Sequence, residues 1–104
     1  MDLRDCREEI DRLDEQLVKL FAKRMEISKL ISKCKWSDGL SVRDVRREEE
    51  KLASVRRSLP PELSAYGEKL YELLFQLSRD YQHELIRSWL TEGQQPENRS
   101  GDEK

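Results

Sequence analysis

One long amphipathic repeat constrains this chain more than any other feature. Leu3, Cys6, Ile10, Leu13, Leu17, Leu20, Arg24, Ile27, Ile31 and Cys34 follow one another at alternating spacings of three and four, which is the heptad seam of a single helix. Neither Gly nor Pro interrupts it between Leu3 and Trp36. About 34 residues at 1.5 Å rise span roughly 50 Å, whereas a globular domain of this size has a radius of gyration of about 13 Å. The helix is too long for a compact monomer, and its seam predicts an obligate homodimer in which it crosses its twin. One seam position, Arg24, is a cation. Burying a guanidinium is costly unless something anionic meets it, so Arg24 asks either for an acid within the protein or for a ligand.

The remaining elements follow from punctuation and periodicity. Asp2 suits the N-cap of the first helix, with Asp5 in its first turn favoured by the helix dipole. Ser37-Asp38-Gly39 breaks it. A second helix is predicted from Val42 or Arg43 to Ser58, ended by Pro60-Pro61; its stripe is Val45, Glu48, Leu52, Val55 and Leu59, again with one charge. A third should begin near Pro61, where proline suits a first turn, and reach about Leu90. Leu63, Tyr66, Leu70, Leu74, Leu77, Tyr81, Leu85 and Trp89 line it, and Ser78 and Gln82 extend the line of Leu70 and Leu74. Gly67 weakens this helix by roughly 1 kcal/mol relative to alanine. The fold class is therefore all-α: a three-helix domain over 1–90, intertwined as a dimer. Thr91 onward has no periodicity and reads as a disordered tail, 91–104.

Composition limits the functions open to such a chain. Twenty basic and 22 acidic residues are mixed along it for a net charge of -2, which gives no support to a nucleic-acid partner or an anionic membrane surface. No apolar run approaches the roughly 18 residues of a membrane span, and MDLRDCREE has no signal-peptide apolar region. A cytoplasmic protein is expected. Cys6 and Cys34 are too few for a disulfide framework and too far apart for a zinc motif; on the seam they serve as small apolar groups. His83 has no Cys or His neighbour in helical register and reads as a surface residue.

Polar residues stand where apolar ones are expected. Arg24 and Glu48 occupy stripe positions, and Arg7, Lys35, Asp44, Arg47, Ser78 and Gln82 flank them. Singly, each has an ordinary explanation: solvated charges at Arg7 and Arg47, Asp44 and Glu48 supporting Arg47, or a structural ion pair between Glu48 and Arg24. Together they supply several cations, an acid, an amide and a hydroxyl on helices that must pack, as a pocket for a small anion in a bundle requires. Arginine suits a carboxylate through its planar two-donor fork. Arg7 and Arg24 lie 17 residues apart on one helix, roughly 25 Å by helical rise, so one chain cannot bring both to one small ligand. Antiparallel pairing of the first helix with its twin, centred near Val18 to Leu20, would set the partner's Arg7 opposite Ile31, between Arg24 and Lys35. Two equivalent pockets would result, each using an arginine from the other subunit.

The pattern Arg7-Glu-Glu-Ile10-Asp11-x-Leu13-Asp14, then Leu17-x-x-Leu20-x-x-x-Arg24, then Lys35, resembles the first helix of the all-helical chorismate mutases, the AroQ class. Val42-Arg43-Asp44-x-x-Arg47-Glu48 is similar to that family's second signature, and Ser78-Arg79-x-x-Gln82 to its third. The resemblance covers roughly residues 3–86 and implies the rearrangement of chorismate to prephenate, toward phenylalanine and tyrosine, in an intertwined dimer without cofactor or metal. It implies that Arg24 and the partner's Arg7 hold the two substrate carboxylates with Ser78 assisting. Lys35 and Gln82 would donate to the ether oxygen. Glu48, with the backbone near Asp44, would bind the ring hydroxyl, and Arg47 would help order the site. A [3,3]-sigmatropic rearrangement needs the enolpyruvyl arm held over the ring and positive charge at the ether oxygen as the C–O bond breaks; it needs no nucleophile. Cys6, where a larger apolar residue is usual, and Trp36 after Lys35 depart from the common pattern. Gln82 is an amide that does not titrate, so little acid dependence is expected from that position.

Three other functions compete. An isochorismate pyruvate-lyase would use the same fold, although a Glu placed for the chorismate hydroxyl favours the mutase. A regulatory or binding module would keep the pocket and associate with another shikimate-pathway enzyme. A plain helical interaction protein would bind no ligand and would tolerate Arg24→Ala.

Overall fold

A computed structural model describes residues 1–93; the rest of the expected tail lies outside the described residues. Three helices make up the described chain, α1 (Leu3–Asp38), α2 (Val45–Ser58) and α3 (Pro61–Thr91). The all-α expectation holds. Asp2 caps α1 as its sequence suggested, and Asp5 does more than meet the dipole. Asp2 Oδ1 accepts from Asp5 N at 2.9 Å, and Asp5 Oδ2 accepts from Asp2 N at 3.3 Å, a reciprocal capping box. At the other end α1 runs two residues past Trp36. It closes at Gly39, whose φ of 70° is the left-handed conformation that glycine adopts without strain.

The start of α2 differs from expectation. Val42 and Arg43 are not helical; Asp44 is the N-cap, its Oδ1 accepting from Arg47 N at 3.0 Å. Asp44 thereby spends its carboxylate on backbone donors that the first turn leaves unpaired and supports Arg47 through the main chain. Between α2 and α3 the turn is tight. Ser64 Oγ donates to Arg56 O at 3.1 Å and Arg56 pairs with Glu68 at 2.8 Å. Gly67 faces this crossing: a Cβ there would overlap Leu59 Cδ1 and sit 3.2 Å from Val55 Cγ1. The helix weakness read from Gly67 is thus tied to the close approach of α2.

Helix α3 contacts both other helices, while α1 and α2 stand apart. Arg24 meets Ser78, Ser28 meets Gln82, and Trp36 stacks on Trp89 at 5.0 Å between centroids. The near-constant offset of these pairs means that α1 and α3 run side by side in the same direction. Ser32 is 0% exposed and Ser28, Ser78, Gln82, Phe75 and Trp89 are buried. The contact face of α1 is therefore a row of small polar residues, which lets the helix axes come close, and it is not the leucine seam. Apart from Arg24, the seam is largely open in the single chain, with Leu3, Ile10, Leu13, Leu17, Leu20, Ile27 and Ile31 all exposed. Cys6 and Cys34 are free thiols, exposed in the single chain like the rest of the seam, and His83 is exposed as expected. The shape is elongated, 59 × 28 × 22 Å with a radius of gyration of 18.0 Å, well above the roughly 13 Å of a compact domain of about 100 residues. Among the described residues no helix is long and apolar enough to cross a membrane.

Candidate functional site

Because α3 touches both neighbours and they do not touch each other, a cleft of about 480 Å³ opens between α1 and α2 with α3 as its floor. Arg24, Lys35, Asp44, Arg47, Glu48, Ser78 and Gln82 all line it. Arg7 does not: it sits exposed near the start of α1. Seven of the eight residues singled out by sequence therefore meet in one place, supplied by three helices and the loop before α2.

Arg24 Nη1 donates to Ser78 Oγ at 2.8 Å, and the guanidinium carbon stands 5.9 Å from the centre of the Tyr71 ring. A hydroxyl and a ring face orient this cation without neutralising it. Among the described residues no carboxylate pairs with it, and the structural ion pair between Arg24 and Glu48 does not form. Glu48 is held elsewhere: Oε2 accepts from Arg79 Nη1 at 2.5 Å, and Oε1 lies 3.5 Å from Arg43 Nε. Lys35 Nζ donates to Val42 O at 2.5 Å, tying the last turn of α1 to the loop that leads into α2. Gln82 Nε2 donates to Ser28 Oγ at 3.2 Å, while its buried Oε1 has no hydrogen-bond partner. A buried amide oxygen without a partner is unfavourable by on the order of 1–3 kcal/mol, so Oε1 is an acceptor still to be matched by a donor.

Sequence reasoning did not assign roles to Ser28, Lys51 or Arg79, which also line the cleft. A signal existed for each. Ser28 is one helical turn beyond Arg24, Lys51 one turn beyond Arg47, and Arg79 directly follows Ser78. Counting charged side chains, Arg24, Lys35, Arg47, Lys51 and Arg79 face only Asp44 and Glu48, so the cleft carries a cationic excess suited to a small di-anion.

The stretch of sequence that supplies this cleft matches one known family. The chorismate mutase type II family matches residues 6–83, which take in most of α1, all of α2, α3 as far as His83, and the whole cleft lining. This chain belongs to that family, an isomerase family of aromatic amino acid biosynthesis. Among curated proteins, the T-protein of Haemophilus influenzae is 46% identical over 46 residues, which is 44% of this chain but 12% of that protein. The chain thus aligns with a small part of that relative's length. No solved structure gives a significant match.

Proposed function

We propose that this protein is a cytoplasmic chorismate mutase whose cleft binds chorismate and converts it to prephenate, and that it works as an intertwined homodimer. The observation that carries this reading is the state of Arg24. It stands in the cleft wall oriented by Ser78 and Tyr71 and lacks a carboxylate among the described residues, which leaves its two-donor fork for a substrate carboxylate. The second substrate carboxylate falls to the partner subunit's Arg7, since the Arg7 of the same chain is some 25 Å away by helical rise. The exposed seam of α1 supports such pairing, because an apolar stripe this long is rarely left in water.

Within that arrangement the chemistry needs restraint and charge. The carboxylate contacts fold the enolpyruvyl arm over the ring, replacing a search among conformers by one bound geometry. Lys35 Nζ, now on Val42 O, swings to the ether oxygen and meets the negative charge that grows there. Gln82 supplies the second donor. Rotating its amide by half a turn lets the Ser28 hydroxyl donate to Oε1 and presents Nε2 to the ether oxygen, which also relieves the orphaned atom. Glu48 accepts from the ring hydroxyl, while Asp44 and Arg47 set the first turn of α2 beneath it.

Incubating the purified protein with chorismate and identifying the product tests the reading. Prephenate is expected, and pyruvate release from isochorismate is not. Failure to turn over chorismate, alone or with other enzymes of the same route, would discard the mutase assignment.

A further inference from the structure

Arg79, and not Arg24, is the inner cation paired with Glu48. Its Nη1 holds Glu48 Oε2 at 2.5 Å, and its Nη2 donates to Gln76 Oε1 at 3.0 Å, so the guanidinium is fixed from both sides. The two side chains of the pair are 16% and 15% exposed, whereas Arg43, on the other Glu48 oxygen, is 58% exposed. Arg79 is thus the inner, shielded partner and Arg43 the outer, solvent-weakened one. Glu48 is one of only two acids in a lining that holds five cations. Left to itself, its carboxylate would pair with whichever cation came nearest. Arg24, Lys35, Arg47 and Lys51 are all at hand in the cleft wall, and each such pair would withdraw a donor from an anionic ligand.

We propose that Arg79 is a positioning residue for Glu48: it aims the carboxylate at the ring hydroxyl and keeps it off Arg24, so that the acid and the carboxylate-binding cation of the cleft stay apart. The inference rests on the chorismate mutase reading and adds to it a residue that acts without having to touch the substrate. Neutralising Glu48 should make Arg79 dispensable to the reaction, because there is then no charge to aim or restrain.

A double-variant cycle tests this on the full chain, with kcat/KM for chorismate as readout. Arg79→Ala and Glu48→Gln are each expected to lower kcat/KM by roughly ten- to hundredfold, in line with coupled polar neighbours. The double variant should be no worse than the weaker single one. Losses that multiply would overturn the proposal, because they would mean that Arg79 acts on the substrate or the fold independently of Glu48. Arg79→Lys keeps the charge and the alkyl stem, and carries the same test should the alanine variant not fold: its loss must also vanish beside Glu48→Gln. A wild-type protein without turnover overturns the functional reading and this inference with it. An active wild type with multiplicative losses overturns the role of Arg79 alone.

Discussion

The two halves of α1 carry the same three-and-four repeat, yet their surroundings are opposite. Every residue from Cys6 to Lys23 is exposed in the single chain, whereas Ser28 and Ser32 are buried and Arg24, Met25, Lys33, Lys35, Trp36 and Ser37 are half-buried. In the second half α3 lies alongside and the cleft opens, and polar side chains there have named intrachain partners. In the first half the side-chain ion pair is local, Arg12 with Glu9 at 2.7 Å, and Leu17, Val18, Leu20 and Phe21 only border an open apolar groove with Leu70, Tyr71 and Leu74 of α3. Helices in proteins draw most of their stability from packing an apolar face rather than from propensity. One helix thus combines a half packed along α3 with a half whose apolar seam is exposed in the single chain.

The strongest way to break this contrast is to charge the uncovered half. Leu17 is 58% exposed in the single chain, so Leu17→Glu would be nearly neutral in a monomer. In a symmetric dimer the change enters the interface twice, and burying an unpaired carboxylate costs several kcal/mol per site. Loss of the dimer, and with it of the fold, is the expected outcome. Sedimentation and far-ultraviolet circular dichroism would read it. A variant that keeps its mass and helicity would show that the seam is not an interface.

Arg24→Ala is the matching change in the second half, and its signature is inverted. Turnover should fall by about 10²–10³, or roughly 3–4 kcal/mol in barrier height, as for a donor to developing or bound charge. Stability should hold or rise, since the arginine is matched by a hydroxyl and a ring face but by no described acid. Activity and thermal melting measured on one preparation separate the two effects. A fall in melting temperature that accounts for the lost activity would return Arg24 to a structural role.

Much of this contrast was legible in the sequence, and what was not has physical reasons. The three helices, the Asp2 cap, the Gly39 stop and seven cleft residues follow from spacing and residue type. Periodicity ranks helix faces by apolarity, however, and cannot say whether an apolar face is met by the same chain or by another. It therefore pointed to the leucine seam, and the chain buried Ser28 and Ser32 instead. Small polar residues carry little hydrophobic signal, yet they are what lets α1 approach α3. The Arg24–Glu48 pair failed for a related reason. Charges of opposite sign on two helices offer many pairings, and only the offset of α3 relative to α2 decides that Arg79 is the one within reach of Glu48.

Mixing two damaged subunits joins the halves in a single measurement. Arg7 belongs to the uncovered half and Arg24 to the cleft. If each site takes Arg7 from one chain and Arg24 from the other, an Arg7→Ala/Arg24→Ala heterodimer has one intact site and one doubly damaged site. Equimolar mixing with free subunit exchange should then restore about a quarter of wild-type turnover, because about half the dimers are mixed and each has one working site. Activity that stays at the level of the separate variants, with exchange verified by mass, would refute the shared site.

The smallest expected effect lies at the tip of α1. Asp2 and Asp5 close a reciprocal box that starts the helix, and Arg7 follows within the next turn. Asp2→Ala should cost about 1 kcal/mol of stability, as for other N-caps, and fray the turn that carries Arg7. In a monomer with an independent cleft that fraying would reach nothing, since the cleft begins at Arg24. In the shared-site dimer it loosens the partner subunit's second carboxylate contact, so KM for chorismate should rise severalfold while Arg24-dependent turnover persists at saturation. An unchanged KM with the expected drop in melting temperature would confine the cap to stability, and would separate the tip of α1 from the chemistry that the rest of the helix serves.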